Sequence, residues 1–142
     1  MNAVAPAPPT APVPAAVRQV TLTEPLPGFP RHRDYVLVTA DGDGLLYWLQ
    51  SLDADGPRFL AIPPARYFPD YAPVLPRSVC ADLGLTDPAD AQLFCLVTVP
   101  REGPAAATAN LRAPVVVNPA TWRATQVVLT DSAHPIRRPL RR

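Results

Sequence analysis

Short runs in which every second residue is apolar follow one another along most of this chain. A period of two is that of a strand with one buried face. In "VRQVTLTE" (17–24) Val20 and Leu22 share a side and the polar residues take the other. The series continues through "DYVLVTA" (34–40), "LLYWLQSLD" (45–53), "PRFLAIP" (57–63), "QLFCLVTVP" (92–100), "APVVVNP" (113–119) and "TQVVLTD" (125–131). The run from 92 puts Leu93, Cys95, Val97 and Val99 on one face, whereas the adjacent Tyr47 and Trp48 must face opposite ways. Turn chemistry separates the runs. Pro27-Gly28 suits a type II turn with glycine at positive φ, "DGDG" (41–44) suits a hairpin, and "ADG" (54–56) marks a further turn.

The middle of the chain breaks the pattern. "PRSVCADLG" (76–84) spaces Val79 and Leu83 as a helix does, with proline near its start and Gly84 at the C-terminal cap position. "TDPADA" (86–91) reads as a further helical turn opened by Thr86 or Asp87. Both are too short to stand without the sheet. The pattern predicts a mainly β fold, an antiparallel sandwich or barrel with one or two short helices.

Composition sets the limits of that domain. A chain of 142 residues with 48% apolar content is one globular unit. Pro6, Pro8, Pro9, Pro12 and Pro14 crowd its start, so 1–16 is expected to be a disordered Pro/Ala-rich leader, 17–136 the β domain, and 137–142 a solvated arginine-rich tail. The leader lacks the unbroken apolar run of a secretion signal, and no segment is long and apolar enough to span a bilayer. A cytoplasmic protein without membrane contact is expected. All 13 basic residues are arginine, yet the formal charge is only +1, which disfavours direct nucleic-acid binding.

Reactive chemistry is sparse. Cys80 and Cys95 sit among apolar neighbours with no CxxC spacing, which predicts reduced, structural thiols. A cysteine–histidine enzyme would need one of them beside His32 or His134, and nothing local supports that pairing. Asp41, Asp43, Asp53 and Asp55 lie in two neighbouring loops, where aspartate more commonly stabilises bends than binds calcium. No catalytic residue, cofactor or metal is predicted. In "RYFPDYAP" (66–73) prolines prevent a regular strand, so Phe68 and Tyr71 either plug the barrel end or form a protein-binding surface. Substituting either by alanine is expected to weaken partner capture and leave thermal unfolding nearly unchanged, whereas a large drop in melting temperature would place them in the core. Asn110 and Asn118 read as strand terminators that bond nearby backbone.

The ordered blocks "LPGFP", "YWLQSLD", "FLAIPPARYFPDY", "LVTVP", "TANLRAPVVVN" and "TQVVLTDSAHPIRRPL" resemble the FliW family of flagellar assembly factors from about Val17 to Leu140. The resemblance implies a small antiparallel β-barrel-like domain with one or two short helices, and a non-enzymatic regulator that binds flagellin and also the RNA-binding translational repressor CsrA, as a partner switch. It implies protein contacts rather than a reaction centre. On this chain the candidates are Phe68, Asp70 and Tyr71 in the irregular segment, with Gln50 and Asn110 as polar anchors. A small-ligand-binding β-barrel is the alternative, and it would require an apolar cavity inside the barrel.

Overall fold

The structure, a computed structural model, describes residues 17–130 and 132–140. The expected leader lies outside the described residues. The elements are β1 (Arg18–Leu22), β2 (Asp34–Thr39), β3 (Tyr47–Ser51), β4 (Arg58–Ile62), α1 (Arg77–Leu83), β5 (Gln92–Thr98), β6 (Thr108–Ala109), β7 (Val115–Asn118), β8 (Arg123–Gln126) and β9 (Arg138–Pro139). The first four strands form an antiparallel meander, β4 pairs with β5, β5 with β7 and β7 with β8. Pairing of β8 with β1 closes a seven-stranded barrel. That seam is parallel, the one departure from the predicted antiparallel order. An odd number of strands that alternate direction must meet head to head at the closure, so the parallel seam follows from the count. β6 and β9 extend the sheet beyond the barrel.

Val20 and Leu22 share the inward side, as alternation predicts. Val20, Leu22, Tyr35, Leu37, Leu49, Ala61, Phe94, Val115, Val117 and Ala124 form the buried cluster inside the barrel, with Tyr47, Phe59 and Leu96 against it. Tyr47 meets Phe94 edge-on at 5.2 Å, while Trp48 points outward beneath the Arg58 guanidinium at 4.0 Å. The face of β5 that carries Leu93, Cys95 and Val97 is the outer wall, and two covers bury most of it. α1 lies over one side, where Cys80 and Leu83 pack with Val116, Val127 and Leu129, and Leu93 joins them. The segment after β4 lies over the other, where Phe68 packs with Ile62, Cys95, Ala109 and Leu111. Val99 falls past the end of β5 and is exposed.

Turn chemistry positions these pieces. Gly28 (φ 88°) and Gly44 (φ 72°) take the left-handed values that the sequence predicted for glycine turns. In the β2–β3 hairpin the Asp41 carboxylate accepts N–H bonds from Gly44, Leu45 and Leu46. α1 ends at Gly84 (φ 73°), whose N–H returns to Ala81 and Cys80. The second helical turn is a 3-10 turn, Pro64–Arg66 and Pro88–Asp90 being two of three such turns described, and Asp87 caps the latter through Ala89 N–H.

Gly56 is required for a different reason. A Cβ there would overlap the Ser51 side chain, which is buried and accepts the Asp53 N–H. Gly56→Ala is therefore expected to cost about 1–3 kcal/mol, as other overpacked sites do, and urea unfolding measures it.

One expected boundary moves. Composition predicts a solvated tail from Arg137, but Arg138 and Pro139 pair with Ala109 and Thr108. The side chains stay exposed as arginine content predicts, while the backbone edge left open by β6 orders this stretch by offering unpaired polar groups.

Candidate interaction site

Two prolines shape the site. Pro63 and Pro64 end β4, because proline cannot continue the ladder, and start the 3-10 turn Pro64–Arg66. Phe68 N–H donates to Pro64 C=O at 2.7 Å and Tyr71 N–H to Phe68 C=O at 2.9 Å, so the segment runs as successive turns across the outer wall. Two phenols pin it. Tyr67 donates to Leu45 C=O at 2.9 Å and Tyr71 to Leu111 C=O at 2.7 Å.

Facing this segment is the chain from 134 to 139, held by β6 and by the turn that follows it. Asn110 makes that turn: its Oδ1 accepts N–H bonds from Arg112 (3.0 Å) and Ala113 (3.2 Å), which diverts the chain between β6 and β7. Leu111 N–H then donates to Pro135 C=O and Arg112 Nε to His134 C=O. Between the two walls lies an open cleft of about 620 Å³, lined by aromatic rings and prolines, with Asp70 and Arg138 as its charged rim. The His134 ring meets Tyr71 edge-on at 4.9 Å, and the Arg138 guanidinium sits 4.8 Å from the centre of the Phe68 ring.

Three of the five predicted residues meet here. Asp70 is exposed, Tyr71 half-buried and Phe68 9% exposed, so the phenylalanine is a core residue whose edge forms the cleft floor. Asn110 precedes the lining residue Leu111, with its side-chain oxygen engaged in the turn. Gln50 stands apart, exposed on β3 beside Val36 and Arg58, and does not line the cleft. Sequence reasoning missed the wall made by His134, Pro135, Arg138 and Pro139. The family-like block "TQVVLTDSAHPIRRPL" runs through it and was the available signal.

Two other candidate groups have structural partners, whereas the buried Tyr35 hydroxyl has none. His32 Nδ1 lies 2.8 Å from Asp53 Oδ2, and Asp41 holds the hairpin. Among the described residues no three histidine, cysteine or acidic side chains gather to hold a metal. Both thiols are free and buried. Cys95 lies beside the Tyr71 hydroxyl, and burial pushes its thiol up to about 12 against a smaller opposing pull from that hydroxyl. Burial, with the thiol beside it, likewise raises the Tyr71 phenol.

A raised thiol keeps its proton in the folded chain and loses it first in the unfolded one. Stability is thus complete below about 9 and declines as pH rises toward the folded value of about 12. In a Cys80→Ala variant, Cys95 is expected to react with a thiol reagent at pH 8 only when denaturant unfolds the protein, a contrast of at least about 100-fold in rate. Equal rates in buffer and denaturant would contradict it.

The FliW protein family model matches residues 13–140. A "Flagellar assembly factor FliW" of Syntrophus aciditrophicus is 40% identical over 110 residues, covering 78% of this chain and 69% of the relative. That of Bdellovibrio bacteriovorus is 39% identical over 121 residues, covering 85% and 69%. A crystal structure of the flagellar assembly factor FliW superposes with a TM-score of 0.78 at 30% identity, covering 87% of this chain and 86% of the other. With the matched region spanning barrel, covers and cleft alike, the chain belongs to the FliW family.

Proposed function

We propose that this protein is a cytoplasmic flagellar assembly factor that binds flagellin and, in competition, a CsrA-type RNA-binding regulator. Flagellin level would then set how much regulator is left to repress flagellin messenger RNA. Such a switch needs two partners of suitable relative affinity for the protein and no bond-making groups. The relatives reported above are flagellar assembly factors by name.

The observation that carries the reading is the open cleft, where rigid aromatic surface is flanked by one acidic and one basic side chain. Aromatic anchors with a polar rim are the usual make-up of a protein-binding hot spot. We assign the contact role to Phe68, Asp70 and Tyr71. Gln50 is a separate exposed position, and Asn110 acts through the turn it holds. Among the described residues no helix is long and apolar enough to cross a membrane. The small-ligand alternative is disfavoured because side chains fill the barrel interior where such a ligand would sit.

Calorimetry against purified flagellin tests this. Asp70 is exposed and has no packing role, so Asp70→Arg should weaken flagellin binding by about tenfold or more, a change of about 1.4 kcal/mol, with an unchanged melting temperature. The proposal is abandoned if the unsubstituted protein binds neither flagellin nor a CsrA-type dimer.

A further inference from the structure

The outermost strand of the sheet is lightly held. β9 has two residues, both exposed, and pairs on one edge only, with β6. Pro139 stands opposite Thr108 and has no N–H to offer the ladder. Three further bonds attach the segment around it: Leu111 N–H to Pro135 C=O (3.0 Å), Leu140 N–H to Ala107 C=O (3.1 Å) and Arg112 Nε to His134 C=O (2.9 Å). Ile136 and Arg137 face solvent, and Leu140 supplies the apolar anchor. By contrast, all four residues of β7 are buried and that strand is paired on both edges. Few buried contacts and exposed backbone bonds characterise the parts of a fold that open first.

What lies beneath cannot remain bare. Ala107 and Leu111 are buried, and the carbonyl of one and the amide of the other bond to this segment. Losing the segment strands both groups and uncovers the Phe68 ring now under Arg138. A helix has spent its backbone groups internally, whereas an extended chain offers them at the spacing β6 requires.

We propose that residues 133–140 form a displaceable strap, and that the partner binds by strand exchange. An extended segment of the partner pairs with β6 in place of β9 and sets a cationic side chain over the Phe68 ring, where Arg138 now sits. This deepens the partner-binding function proposed above and rests on it. The strap is itself the template for the occupant: an extended, arginine-bearing stretch with one apolar anchor. His134, Pro135, Arg138 and Pro139 form one wall of the cleft, so an incoming segment can lie along the strap before replacing it.

A disulfide lock tests the exchange in the full chain. Thr108 and Pro139 are opposite in register, so Thr108→Cys with Pro139→Cys places a bridge between strap and β6. The oxidised variant should lose flagellin binding by about tenfold or more and regain it on reduction. Hydrogen exchange supplies a second readout that needs no partner. In the free protein the Leu140 and Leu111 amides should exchange at least about 100-fold faster than that of Val116 in the barrel wall. Added flagellin should then protect Leu111 while Leu140 loses protection. Equal binding by oxidised and reduced forms overturns the inference, as does flagellin binding that leaves Leu140 protected. If no form binds flagellin, the flagellin-binding part of the functional proposal fails, and strap amides that exchange no faster than the barrel overturn the strap as well.

Discussion

Phe68→Ala is expected to lower stability by about 3–5 kcal/mol, because a buried ring is replaced by a cavity that its neighbours only partly fill. For a domain of this size that corresponds to a fall in melting temperature of about 10–20 °C. The ring packs with Ile62, Cys95, Ala109 and Leu111 on the outer barrel wall, and its loss also removes the surface on which Arg138 rests. Differential scanning calorimetry measures the change, and a fall of less than about 3 °C would place Phe68 outside the core. Phe68→Leu keeps most of the volume and should cost under about 1.5 kcal/mol. The pair separates packing from any special need for an aromatic ring, since flagellin binding should weaken with Phe68→Leu while the fold persists. Of the two sequence-level options for this residue, barrel plug or contact surface, the structure selects a third arrangement: the ring seals the outer wall, and its edge floors the cleft.

The second large effect is expected at Asn118. This residue is 5% exposed, and its side chain joins two parts of the fold. Nδ2 donates to Leu83 C=O at 2.7 Å, at the end of α1, while Oδ1 accepts the Ala120 N–H at 2.9 Å and shapes the β7–β8 turn. Asn118→Ala removes both bonds and leaves a helix-terminal carbonyl without that partner, at a cost of about 3 kcal/mol from two lost bonds and one stranded group. Asn118→Asp should do comparable harm, since a carboxylate cannot donate to the carbonyl. Chemical denaturation of both variants checks this, and near-wild-type stability of the aspartate variant would mean that the Leu83 bond contributes nothing. The pairing of Asn110 and Asn118 around the Val115–Val117 strand thus has a physical cause. One diverts the chain out of β6 and the other bolts α1 to the barrel.

How much of this was readable beforehand varies by residue. Val20 and Leu22 were placed on the buried face by alternation alone, and Gly84 at the helix end by its cap position. The bracing role of both asparagines was also legible, because side-chain bonds to nearby backbone are local chemistry. Leu83 as the partner of Asn118 was not, since 35 residues separate them in the chain. Phe68 and Tyr71 were recognisable as special because prolines exclude a strand there, yet the sequence held nothing about which surface they would meet. The far wall of the cleft was hidden for a related reason. His134 to Pro139 is polar and proline-interrupted, and its order comes from the open edge of β6 rather than from its own pattern.

By itself, then, the chain determined the strand segments, their turns, the short helix and its cap, and the family likeness. The first three depend on preferences that act within a few residues of one another, and the likeness on the order of six short blocks along the chain. Tertiary structure decided the closure of β4 on β5 and of β8 on β1, the parallel seam, the two covers on the outer wall and the cleft between Tyr71 and Arg138. Those features depend on which distant surfaces bury one another and which backbone edges are left to be paired. No period along the chain carries that information, because the energy is set by contacts made only after the barrel has closed.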